Sequence, residues 1–149
     1  MRPSWDQYFL GIADLIATRS KDPRTKVGAV LVKDRRILGT GFNGFPIGVF
    51  EHIEERWVTP EKYFWVCHAE RNCIDMCARD GIATKGSTLY ITVPPCSECA
   101  KSIIQSGIVD IVIGNPAPAH WSDNTEAAAK MLKEARVFME FAYLDTSVM

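Results

Sequence analysis

The chain has 149 residues, 47% of them hydrophobic and 23% charged, with a formal net charge of −1. That length suits one domain with a real core, so neither disulfides nor a metal are needed merely to fold it. The near-neutral balance offers no general attraction to nucleic acid, no apolar run reaches the length of a membrane span, and Met1-Arg2-Pro3-Ser4-Trp5 lacks a signal-peptide core. The five cysteines are an odd number and two have metal-like spacing, which points to a reducing, cytoplasmic compartment rather than a disulfide framework.

In chain order, Ser4 and Gln7 have capping-box spacing beside Pro3, which predicts a helix start. Trp5, Phe9, Ile12 and Ile16 then recur at steps of four, three and four, the stripe of a helix with one core face. This helix is expected to stop near Ser20, because Asp22 precedes Pro23 and is pushed out of helical geometry. Val27 to Val32 reads as a buried strand, Lys33-Asp34-Arg35-Arg36 as a turn, and Ile37 to Thr40 as an antiparallel partner. The stretch Gly41-Phe42-Asn43-Gly44-Phe45-Pro46 has two readings. One is a tight turn with glycine and asparagine at positive φ; the other is a loop whose backbone approaches a ligand while the Asn43 amide donates and accepts.

Residues 47–66 have no clean period and read as a partly ordered insertion. His68 to Arg79 reads as a helix closed by Gly81 and packed through Ala69, Cys73, Met76 and Cys77, with Cys67, Cys73 and Cys77 as small core hydrophobes. Thr88 to Val93, Cys96 to Ser106 and Val109 to Ile113 form a strand–helix–strand unit, which requires parallel pairing and a right-handed crossover. A loop around Asn115-Pro116-Ala117-Pro118 follows, and His120 and Trp121 are expected to pack over the sheet edge. Asp123 and Glu126 predict a capped helix with Ala128, Met131, Leu132 and Ala135 buried, and Val137 to Phe141 a last strand. The order predicts one domain over residues 1–149, a three-layer α/β/α sandwich around a mixed five-stranded sheet.

Two short stretches carry the chemistry. Cys67-His68-Ala69-Glu70 and Pro94-Pro95-Cys96-Ser97-Glu98-Cys99 spell H-x-E and P-C-x-x-C, with twenty-four residues between Glu70 and Pro95. These are the two halves of the zinc deaminase signature. Cys96 and Cys99 are three apart and share a face in a first helical turn, where free amides and the helix dipole favour thiolate, the form zinc binds. His68 and Glu70 are two apart, yet both can reach past a helix start because side chains there lean back toward the N-terminus. If the two helix starts converge, His68, Cys96 and Cys99 supply three ligands to Zn2+ and leave the fourth position for water, the mark of a catalytic rather than a structural site. Zinc lowers the pKa of such a water from about 15.7 toward 7. Glu70 is then the expected proton carrier between that water, the ring nitrogen and the leaving amine.

Beyond these motifs the chain resembles the deoxycytidylate (dCMP) deaminases of the cytidine deaminase superfamily. The resemblance covers most of the chain and rests on Ser20-Lys21-Asp22-Pro23-Arg24-Thr25-Lys26-Val27-Gly28-Ala29, Gly41-Phe42-Asn43-Gly44-Phe45-Pro46, His68-Ala69-Glu70-Arg71-Asn72 and Pro95-Cys96-Ser97-Glu98-Cys99-Ala100. The first two stretches are the more specific. The resemblance implies a cytidine deaminase-like fold and hydrolysis of dCMP to dUMP and ammonia for thymidylate synthesis, with one catalytic Zn2+ per subunit. It also implies activation by dCTP, inhibition by dTTP, Mg2+ accompanying a bound regulatory triphosphate, and a homohexamer. By the same resemblance Asn43 contacts the deoxyribose, Arg24, Thr25 and Lys26 help hold sugar and phosphate, Ala69 belongs to the substrate site, and Gly41, Phe42, Asn43 and Gly44 bind the regulatory nucleotide. Phe42 stands where the family commonly has tyrosine. Some relatives hold a second, structural zinc; with no cysteine before Cys67 and His52 the only histidine of the insertion, none is expected here.

Two other functions share the motifs. A nucleic-acid deaminase similar to the tRNA adenosine deaminases has the same His68-Ala69-Glu70 and paired cysteines, but the near-neutral charge counts against it. A zinc-stabilised binding module needs a fourth protein ligand, and gives Glu70 no reason to sit two residues after His68.

Overall fold

The computed structural model describes residues 1–143, without the side chains of Ser122 and Asp123. Five strands, β1 (Gly28–Lys33), β2 (Arg36–Phe42), β3 (Thr88–Ile91), β4 (Asp110–Ile113) and β5 (Phe138–Phe141), form one mixed sheet in the order β2-β1-β3-β4-β5. β1 pairs antiparallel with both β2 and β3, whereas β3, β4 and β5 run parallel. The parallel half follows from the crossover helices α3 (Ser97–Gln105) and α4 (Ser122–Glu134), as the strand–helix–strand spacing requires. Asp34 and Arg35 turn β1 into β2 with φ of 52° and 61°, the primed geometry that matches strand twist.

Strand alternation sorts the core into two layers. Val30 and Val32 of β1, Tyr90 and Val112 face helix α1 (Trp5–Ala17), meeting Phe9, Leu10 and Ala13. Ala29, Leu31, Leu89, Ile91, Ile111 and Ile113 face the other way, onto helix α2 (Ala69–Arg79), α3 and α4. This is the expected three-layer sandwich, and β1 reads as an unbroken apolar run because both of its faces are covered.

Several sequence expectations are corrected. In α1 the expected Phe9 is buried, but Leu10, Ala13 and Ala17 are buried with it while Trp5 is half exposed, because α1 lies so close to Gly28 of β1 that the alanines fill the seam. Met76 and Ala135 are exposed, and Cys67 is only half-buried, paired through its backbone with Gly44. α4 starts at Ser122 with Trp121 as its N-cap, ahead of the predicted Asp123 cap, whose side chain lies outside the described residues. β2 runs on through Phe42, and Gly41, Asn43 and Gly44 are not among the residues at positive φ, so the tight-turn reading fails. Its glycines have another cause: a Cβ on Gly41 would collide with the Ala69 carbonyl oxygen and stand 2.6 Å from the Cys73 nitrogen of α2. The insertion is ordered by its aromatics. Phe45 stacks on Trp57 with centroids 4.3 Å apart, and the Arg56 guanidinium sits 3.9 Å over the Trp65 ring.

Candidate active site

Two helix starts meet just beyond the carboxyl end of β3, where open α/β sheets present ligand sites. His68 is the N-cap of α2 and Cys96 the N-cap of α3, and neither side chain caps its own helix. His68 Nδ1 lies 3.3 Å from Cys96 Sγ and 3.4 Å from Cys99 Sγ, and the three ligand atoms all fall within 4.8 Å of one another. With Zn–S near 2.3 Å and Zn–N near 2.0 Å, a tetrahedral zinc holds such atoms roughly 3.5 to 3.8 Å apart. One imidazole and two thiols at these separations fit a zinc ion and suit few others as well.

The electrostatics agree. The Cys96 thiol is pulled down to about 4, first by its hydrogen bond with Cys99, with His68 adding to the effect. Cys99 is pushed up by that same hydrogen bond and by burial, and His68 is raised by its hydrogen bond with Cys96. The cluster thus shares protons that a soft cation would displace. Glu70, in the first turn of α2, is 4% exposed, and burial pushes its carboxyl up to about 7 against the opposing pull of its own backbone N–H and of His68.

A cavity of about 380 Å3 opens over these groups, with His68, Ala69, Glu70 and Cys96 in its wall. Asp22, Arg24, Thr25, Val27 and Asn43 form a second part of the wall, and Lys62, Tyr63 and Val66 of the insertion a third. His120, Trp121, Asn124 and Thr125 also line it, so His120 and Trp121 lie at the cavity and not merely over a sheet edge. Lys26 is exposed, and Gly41, Phe42 and Gly44 stay out of the lining. Asn43 is buried and engaged within the chain. Its Oδ1 accepts from Val27 N at 2.8 Å, and its Nδ2 donates to Thr25 O at 2.8 Å and to Asp22 Oδ2 at 3.4 Å. Sequence reasoning missed Asp22, Lys62 and Asn124. Asp22 was visible as a helix stop and as a member of the Ser20 to Ala29 stretch but with no role of its own, and Asn124 accepts from Ser97 N at 2.6 Å, a contact between helices with no local signal.

Residues 3–115 match the family described as the cytidine and deoxycytidylate deaminase zinc-binding region. The chain belongs to that family. Among its relatives, this deaminase is 40% identical over 139 residues to the deoxycytidylate deaminase of Mus musculus, a match spanning 89% of this chain and 76% of that one. It is 34% identical over 148 residues to ComE operon protein 2 of Bacillus subtilis, spanning 99% and 76% of the two chains. In three dimensions the deaminase resembles the dCMP deaminase of cyanophage S-TIM5 in complex with dCMP and dUMP, with TM-score 0.79, 30% identity, and 95% and 99% of the two chains covered. A structure of tRNA:A34 deaminases matches with TM-score 0.55 and 27% identity, over 77% of this chain and 80% of that one.

Proposed function

We propose that this deaminase hydrolyses dCMP to dUMP and ammonia, with one zinc ion held by His68, Cys96 and Cys99 and protons carried by Glu70. One observation carries the reaction: an imidazole and two thiols within 4.8 Å of one another share a cavity wall with a buried carboxyl. The choice of dCMP is supported by the relatedness to deoxycytidylate deaminases and to a protein crystallised with dCMP and dUMP. When bound, zinc supplies Lewis acidity and an activated water.

The remaining work falls to the chain. The Glu70 carboxyl, buried in the cavity wall, takes one proton from the attacking water and gives it to the ring nitrogen, then takes the second proton of that water and gives it to the departing amine. Water is consumed and ammonia leaves, with no redox change. Ala69, at the start of α2 between His68 and Glu70, belongs to the part of the wall that would receive the ring. Arg24 and Thr25 serve the sugar and phosphate from the adjoining wall, with Lys26 as an exposed cation beside them, and Asn43 supports the deoxyribose side.

The finer reading adds control. dCTP activates and dTTP inhibits through Gly41, Phe42, Asn43 and Gly44, with Mg2+ on the triphosphate, in a cytoplasmic homohexamer. Its support is the resemblance of that stretch to regulated relatives, together with Asn43 belonging both to it and to the cavity wall. A tRNA substrate draws less support, given the lower TM-score and the net charge of −1. Ammonia release from cytidine, dCMP, dCTP and tRNA tests the assignment, with dCMP expected to lead; a faster tRNA reaction overturns it. Kinetics on dCMP that stay flat across added dCTP and dTTP would sink the regulatory part.

A further inference from the structure

The loop that walls the cavity is folded around a carboxylate that the proposed reaction leaves unused. Asp22 is 4% exposed, and its Oδ1 accepts from the backbone N–H groups of Arg24 at 2.8 Å and Thr25 at 3.2 Å. Its counter-charge arrives from forty residues away: Lys62 Nζ donates to Oδ1 at 3.2 Å and to Oδ2 at 3.1 Å. Lys62 is buried although its neighbours Tyr63 and Phe64 are mostly exposed, so the insertion turns this one side chain inward. A buried ion pair is poor at adding stability compared with an apolar pair, while removing one partner strands the other as an uncompensated charge. Stability alone therefore gives weak reason for a lysine here.

The charge of the wall gives a better one. Asp22, Arg24 and Lys62 all line the cavity. With the pair intact, the Asp22 and Lys62 charges cancel and the Arg24 guanidinium sets a cationic sign. Without Lys62, a buried carboxylate cancels Arg24 instead, beside the backbone that shapes the loop. A phosphate ester arriving there would meet repulsion in place of attraction.

We propose that Lys62 is a positioning residue that masks Asp22, so that the loop folded around this carboxylate can receive an anionic phosphate. The insertion is thereby tied to recognition of the nucleotide as opposed to the nucleoside. The proposal rests on the dCMP reading and extends it to a residue outside every motif. Deoxycytidine, which has the same ring and sugar without the phosphate, has no charge for the mask to protect.

The test compares the zinc-loaded enzyme with its Lys62→Met, Lys62→Arg, Asp22→Asn and Asp22→Asn/Lys62→Met variants on dCMP and on deoxycytidine. KM and kcat are read separately, with zinc content and thermal midpoint as controls on folding. Lys62→Met is expected to raise KM for dCMP about tenfold, with kcat and the deoxycytidine KM changed less than about twofold. Lys62→Arg keeps the charge and should retain most of the affinity; the double variant, which removes both charges, should recover most of the loss. An equal rise in KM for both substrates, or a double variant no better than Lys62→Met, overturns the masking role. If Lys62→Met does not fold, Asp22→Asn decides alone: it leaves Lys62 unpaired and should lower KM for dCMP, and a higher or unchanged value overturns the proposal. If the unaltered enzyme releases no ammonia from dCMP, the substrate reading has failed. Calorimetric binding of dCMP against deoxycytidine by the same variants then judges Lys62, and the absence of a contrast between the two ligands overturns its role.

Discussion

At the scale of single residues, Glu70 combines properties that rarely coexist: a carboxyl 4% exposed, in the wall of a cavity, beside an imidazole and two thiols. Replacing it with alanine removes the proposed proton carrier and leaves the three proposed ligands, His68, Cys96 and Cys99. Glu70→Ala is therefore expected to keep its zinc and its fold while ammonia release from dCMP falls about 10²–10⁴-fold. A variant turning over at the unaltered rate would remove Glu70 from the reaction. Cys96→Ser makes the opposite cut, losing a thiolate ligand at a helix start, and metal analysis of the purified protein should find the zinc gone. These residues were legible in the sequence because their spacing is itself the chemistry: two thiols three apart on one helical turn, and a histidine and a glutamate around one helix start. Asp22 and Lys62 were not legible. Their partnership spans forty residues, and nothing local distinguishes a buried lysine from a solvated one.

At the scale of elements, the separation of α2 from β2 matters more than the identity of either. Gly39 and Gly41 face that helix without side chains; a Cβ on Gly39 would stand 2.6 Å from Cys77 Sγ, and one on Gly41 would strike the first turn of α2. Gly41→Ala is expected to cost about 1–3 kcal/mol by overpacking, read as a lowered thermal midpoint. Because that first turn carries Glu70 and follows His68, activity should fall with it; a variant of unchanged midpoint would contradict the packing argument. The number and order of the α-helices and strands were readable from periodicity and caps, since Ser4 does cap α1 through Gln7 N at 3.1 Å, whereas the short 3-10 helices Glu54–Trp57, Glu61–Phe64 and Ala119–Trp121 were not. The phase of α1 was not. Large apolar residues draw the eye to Trp5, Ile12 and Ile16, whereas closeness to β1 selects Ala13 and Ala17. The glycines of β2 misled for the same reason: distance between elements has no period.

At the scale of the whole molecule, the cavity is assembled from every third of the chain, with the starts of α2 and α3 bringing the proposed ligands and the segment after β4 closing the wall. Cys96 leaves the α3 start without a side-chain cap of its own, and Asn124, at the beginning of α4, accepts from Ser97 N in its place. Asn124→Ala should therefore cost about 0.5–2 kcal/mol, as loss of a helix cap does. It should also weaken zinc retention about 10–100-fold, by loosening the turn that orients Cys96 and Cys99. Competition against a chelator measures the second effect, and retention equal to that of the unaltered protein would show that the cap does not reach the metal.

That hydrogen bond also separates two boundaries that are easily confused. The region that marks the family stops at residue 115, and a polypeptide cut there would still contain the proposed ligands His68, Cys96 and Cys99 and the Glu70 carboxyl. It would lack the borrowed acceptor at Ser97 and the aromatic rim of His120 and Trp121. The shortest working enzyme is therefore expected to be longer than its own signature and to include α4, and zinc content and ammonia release from a chain ended at residue 115 check this.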